Sequence, residues 1–134
     1  PAYTRIETTL MRPFDGYPDV KVPRKGERIF ELRVYESHNE AKAALKVEMF
    51  NSGEFDIFEN VGLDSVFCGE ALSGPNLPNL TYLVAYKDIE ERKAAWGRFS
   101  KDPDWQKLKG VERYKDTVSK IHQTYLVPAA YSQI

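Results

Sequence analysis

Three residues of the run IFELRVY, positions 29–35, carry the most suggestive chemistry: Glu31, Arg33 and Tyr35. They stand two apart, so a strand places all of them on one face. An arginine in such a row can hold a carboxylate through two parallel N–H donors, which points to an acidic small molecule. A plainer reading makes the same row a set of polar contacts across a subunit interface. His38 follows at a strand-to-helix corner, where it serves either as a surface turn residue or as a base near neutral pH. Glu70 shares a strand face with Cys68, and Tyr86 ends the run TYLVAY. The candidate pocket is therefore Glu31, Arg33, Tyr35, His38, Glu70 and Tyr86.

Other reactive types point away from known chemistries. The two histidines, His38 and His122, have no cysteine or carboxylate at ligand spacing, so no metal site is expected. The one cysteine, Cys68, has no base at a useful spacing and reads as a small buried apolar group. Trp96 and Trp105 read as core anchors rather than cofactor platforms. The chain contains no glycine-rich phosphate loop, no G-x-S-x-G and no H-E-x-x-H. No cofactor is expected.

These residues must be held by elements that the pattern makes legible. Alternation of Phe30, Leu32 and Val34 with Glu31, Arg33 and Tyr35 predicts a strand. A long helix follows over about 39–60, with Ala41, Leu45 and Met49 on one face, Gly53 as a kink and Gly62 as the stop. A second strand fits 65–72 and a third 81–86. The turn Gly74–Asn79 joins them as an antiparallel hairpin. Asp88 caps a second helix, with Glu91 three residues on as in a capping box, and Ile89, Trp96 and Phe99 share its face. Asp102-Pro103 opens a short further helix. A last strand fits 118–127 and stops at Pro128.

The order β-α-β-β-α-β is the ferredoxin-like arrangement, an α+β fold with an antiparallel sheet. Helices cover one face of such a sheet. The other face needs a cover, and a second copy of the same sheet supplies one, giving a dimeric α+β barrel. Tyr35, Tyr82, Tyr86 and Tyr125 are expected on that second face, and a homodimer is the expected assembly.

The 134 residues suit one domain, 42% apolar and 29% charged. Nineteen basic residues nearly balance twenty acidic ones, so no nucleic-acid partner is expected. No apolar run approaches the roughly 18 residues of a membrane span, and no signal peptide is visible. A lone thiol fits reducing and oxidising compartments alike.

Residues 1–27 read as an N-terminal strand and linker, and 28–134 as the domain. The stretch Thr4–Pro13 echoes Ser119–Pro128, with Ile, Thr and Pro at the same offsets. The echo suggests that the strand is the remnant of a preceding repeat in a tandem protein. The chain starts at Pro1 rather than Met, so an upstream segment is expected. The strand is expected to add to a sheet edge, since a free strand leaves its backbone unpaired.

Three stretches resemble the NIPSNAP family. They are Phe30–Tyr35, like its opening E-L-R-x-Y strand; Leu83–Arg92, like its strand, aromatic and acidic helix start with Arg; and Trp96 with Asp102-Pro103-Asp104-Trp105, like its D-P-x-W ending. Glu40-Ala41-Lys42 departs from the pattern where many members carry a glycine at the start of the first helix. The resemblance implies a dimeric α+β barrel and no settled reaction. The expected function is small-molecule binding and dimerisation. The rival readings are a cofactor-independent monooxygenase-like enzyme working in the barrel pocket and a protein-interaction module.

Overall fold

The structure, a computed structural model, describes residues 3–134; Pro1 and Ala2 of the N-terminal segment 1–27 lie outside the described residues. Five strands form one sheet: β1 Leu10–Pro13, β2 Ile29–Glu36, β3 Asp64–Ser73, β4 Asn79–Tyr86 and β5 Lys120–Leu126. Their spatial order is β1-β3-β4-β2-β5, and every pair is antiparallel. Without β1, this is the β-α-β-β-α-β sheet. β1 is the added strand, antiparallel to β3 at the sheet edge.

Glycine makes that addition possible. A Cβ on Gly69 would stand 3.1 Å from Met11 Cβ and 3.2 Å from the Arg12 carbonyl oxygen. A larger residue would push β1 off its ladder. After β1 the chain turns inward and buries Phe14 and Tyr17 in the main core. Phe14 packs 5.6 Å from Phe50 and 6.0 Å from Phe55, centroid to centroid.

The expected single helix over 39–60 is three pieces: α1 Glu40–Met49, one wide helical turn Phe50–Glu54, and α2 Phe55–Val61. Asn39 caps α1 by accepting from the Lys42 amide at 2.9 Å. Gly53 leaves the helical region (φ 158°, ψ −12°), and Gly62 ends α2 in the left-handed region (φ 78°). The buried face of α1 is Ala43, Lys46 and Met49, whereas Ala41 is exposed and Leu45 only half-buried. The expected face therefore shifts around the helix, because Lys46 enters the core with a charge partner.

α3 Ile89–Lys101 starts at Asp88, which accepts from the Glu91 amide at 2.8 Å, while Glu91 reaches back to the Lys87 amide. Ala95 and Phe99 are its buried residues, and Ile89 is exposed. Asp102 caps α4 Pro103–Lys109 through the Asp104 and Trp105 amides, both at 2.9 Å.

The helices lie on the face of Tyr35, Tyr82, Val84 and Tyr86. This corrects the expected placing of the tyrosines. Alternation sorted the residues into two sets correctly but did not say which set met the helices. The polar look of Glu31, Arg33 and Tyr35 suggested a wet face, and internal pairing is what lets them be dry. The other face carries Phe30, Val66, Leu83 and Ala85, with Leu32 and Phe67 partly buried against them. The tail covers one end of it: Ile134 packs on this cluster, and Arg28 donates to the Ile134 carbonyl oxygen at 2.9 Å.

Candidate functional site

Glu31 is the centre of a polar cluster between sheet and helices, and it is fully buried. Its carboxylate accepts from Arg33 Nη1 (2.6 Å), Arg92 Nε and Nη2 (3.0 and 2.9 Å), Tyr86 Oη (3.1 Å) and Trp96 Nε1 (3.1 Å). Strand pairing explains the meeting: Glu31 and Tyr86 lie on neighbouring strands β2 and β4, while Arg92 and Trp96 are one helical turn apart on α3. Trp96 also donates to Tyr86 Oη at 2.8 Å.

Arg33 continues the network. It donates from Nε and Nη2 to Tyr35 Oη at 3.2 and 3.0 Å, and Tyr82 donates to the same oxygen at 2.7 Å. With the amide of Gln123 turned oxygen-inward, it too accepts from Arg33 Nη1 at 2.6 Å. The guanidinium lies 4.3 Å from the Trp96 ring centroid, within cation–π range.

Charge and burial set the protonation states. Burial works to raise the Glu31 pKa, but the hydrogen bonds and charges of Arg92 and Arg33 outweigh it and hold the carboxyl below its ordinary range. Burial raises Tyr82, Tyr86 and Tyr35, so these hydroxyls stay neutral. Burial likewise raises the Cys68 thiol, which keeps it from being a thiolate nucleophile.

A second buried pair lies beside this network. Lys46 Nζ donates to Glu54 Oε2 at 2.6 Å, and the two residues are 4% and 2% exposed. The wide turn Phe50–Glu54 brings Glu54 back over the end of α1; such turns recur at functional sites. A cavity of about 350 Å³ opens over the pair, with Tyr35 beside it and Phe99, Trp105 and Tyr114 among its walls.

The sequence-derived candidates divide accordingly. Glu31, Arg33, Tyr35 and Tyr86 meet in one hydrogen-bonded cluster. His38 is exposed at the corner between β2 and α1. Glu70 sits on β3 near the sheet edge, bonded to Arg12 at 2.7 Å. Among the described residues no group of histidine, cysteine and carboxylates is placed to hold a metal ion. Sequence reasoning missed Lys46, Glu54, Arg92 and Gln123. Lys46 had a detectable signal, standing three residues after Ala43 and four before Phe50 on the buried face of a helix. Glu54 had none, because the wide turn that swings it inward breaks the helical period.

A comparison with protein-family models matches NIPSNAP over residues 30–133. The chain belongs to the NIPSNAP family. Solved NIPSNAP structures share its fold. An uncharacterised NIPSNAP-like domain protein from Burkholderia xenovorans superposes with a TM-score of 0.72 at 19% identity, covering 81% of this chain and 90% of that one. A NIPSNAP family protein from Agrobacterium tumefaciens gives 0.71 at 16% identity, covering 81% and 99%. A curated threonine–tRNA ligase from Bifidobacterium longum is 30% identical over 96 residues, which span 71% of this chain and 14% of the ligase. Among the described residues no helix is long and apolar enough to cross a membrane.

Proposed function

We propose that this NIPSNAP domain binds a small molecule between its sheet and its helices, and pairs with a second copy through the open face of its sheet as a dimeric α+β barrel. The observation that carries the binding reading is the burial of the Lys46–Glu54 ion pair in the wall of a cavity. Buried ion pairs are seldom the most stable solution; apolar replacements of equal volume commonly do as well or better. Their presence beside open space favours recognition over scaffolding. Tyr35 reaches the cavity and ties it to the Arg33–Glu31 cluster behind it, while His38 and Glu70 stand outside.

The pairing reading draws on Leu32, Val34 and Phe67, which line a cavity of about 420 Å³ on the open sheet face. A second sheet would cover this apolar surface. Residues 28–134 form the domain in this proposal, and 1–27 form its arm. The echo of Ser119–Pro128 in Thr4–Pro13, whose last four residues are β1, supports the arm as the last strand of a preceding repeat.

Light scattering tests the pairing: a particle near twice 15.4 kDa is expected, and a particle of 15.4 kDa at micromolar concentration overturns it. A fragment screen read by amide and indole NMR shifts tests binding. Shifts clustered at Tyr35, Lys46 and Trp105 are expected, and a library that leaves all of them unmoved defeats the reading.

A further inference from the structure

We propose that the cavity over the Lys46–Glu54 pair recognises the carboxylate of a compact aromatic acid, with Lys46 as the group that holds it. This rests on the binding reading above and adds the chemistry of the ligand.

Size and walls come first. The cavity, about 350 Å³, lies at the lower end of the range for small-molecule pockets, roughly 300–1,000 Å³. That suits a one- or two-ring body. Phe99, Trp105, Tyr114 and Val118 supply its apolar walls, and Lys109 and Asp116 add polar ones.

The second argument is the donor left on Lys46. An ammonium carries three N–H donors. One serves Glu54 at 2.6 Å and one reaches Met49 Sδ at 3.4 Å, a weak acceptor. The remaining donor suits an oxygen acceptor arriving in the cavity that Lys46 lines. Aromatic faces fix the ammonium in place, with the Phe50 and Trp105 centroids 4.7 and 5.6 Å away. A cationic ligand would meet that ammonium as a like charge.

Charge balance gives the sign. Arg33, Lys46 and Arg92 carry three positive charges at the sheet–helix interface, and Glu31 and Glu54 carry two negative ones. One monoanion completes the set. Glu54 is the counter-charge nearest the ligand position. It faces Lys46 from α1, Arg33 and Tyr35 from β2, Cys68 from β3 and Tyr82 from β4; Lys109 and Asp116 stand at the cavity rim. Burial raises its pKa against the pull of Lys46 and Arg33. Its bond to Lys46 leaves the third ammonium donor as the one open to a ligand carboxylate. Among the described residues, two further cavities, at the N-terminal arm and on the open sheet face, have no buried lysine or arginine in their walls.

The test is titration of the full chain with phenylacetate, the neutral phenylacetamide and the cationic phenethylamine, read by calorimetry and by the Trp105 indole NMR signal. A charge-assisted hydrogen bond predicts that phenylacetate binds about 10–100-fold tighter than phenylacetamide. Lys46→Met should erase that preference, and Glu54→Gln should keep it. Lys46→Met leaves Glu54 buried without its partner, so the double variant Lys46→Met with Glu54→Gln guards against misfolding. It should give a native near-UV spectrum and treat acid and amide alike. Equal binding of acid and amide by the wild type overturns the proposal, as does an acid preference that survives in the double variant. If only the amide or the amine moves the Trp105 signal, the carboxylate assignment falls while the binding site stands. If none of the three moves it up to millimolar concentration, both fall.

Discussion

Glu31 accepts hydrogen bonds from four side chains on three elements, so the cluster depends on its charge. Its folded-state pKa lies below the ordinary 4.5. The stabilisation is therefore complete above the ordinary carboxylate range and is lost as pH falls through the depressed value. Glu54 has the opposite sign. Its raised pKa favours the folded state below the ordinary range, and that contribution is lost as pH rises through the raised value. Urea midpoints measured against pH should show both limbs in the wild type. Glu31→Gln should flatten the acid limb, and Glu54→Gln the limb above it. Unchanged profiles would mean that neither carboxyl is coupled to folding. The Lys46–Glu54 pair gives a second expectation. Losing one partner should cost about 3–5 kcal/mol, whereas replacing the pair with Met and Leu should cost far less. Chemical denaturation of the two single variants and the double variant checks this, and additive losses would contradict it.

At the scale of elements, the N-terminal arm is the least expected part of the core. Phe14 is 2% exposed and packs against Phe50 and Phe55, which flank Glu54 at the start of its turn and of α2. Phe14→Ala should cost about 3–5 kcal/mol in denaturant unfolding, as large core aromatics do. A loss below 1 kcal/mol would mean that the arm is an ornament. Gly69→Val should crowd Met11 and release β1. Hydrogen exchange would then show Leu10–Pro13 losing protection while β4 keeps it, and intact protection in β1 would refute the steric argument. The broken helix over 40–61 matters for the same reason. Gly53 marked the break in the sequence, but the inward swing of Glu54 depends on the wide turn that precedes α2.

For the whole molecule, the proposed pairing rests on the open sheet face. Val34 lines its cavity, and a lysine there would put an unpaired charge against a covering sheet. Val34→Lys should convert the proposed dimer to a monomer with the same circular dichroism. A dimer that tolerates this charge would place the interface elsewhere.

Composition and pattern alone determined the α+β class, the order of the strands and helices, and the caps at Asp88 and Asp102. All of these rest on local periodicity and on backbone groups that must be satisfied nearby. The row Glu31, Arg33 and Tyr35 was legible as one strand face for the same reason. Only the tertiary structure decided that this face meets the helices. Period-two alternation separates two faces without saying which is covered, and the partners that make burial tolerable, Arg92, Trp96 and Gln123, stand some sixty to ninety residues further along the chain. The Lys46–Glu54 pair and its cavity belong to the same category, since a kink, and no repeating pattern, brings the two charges together.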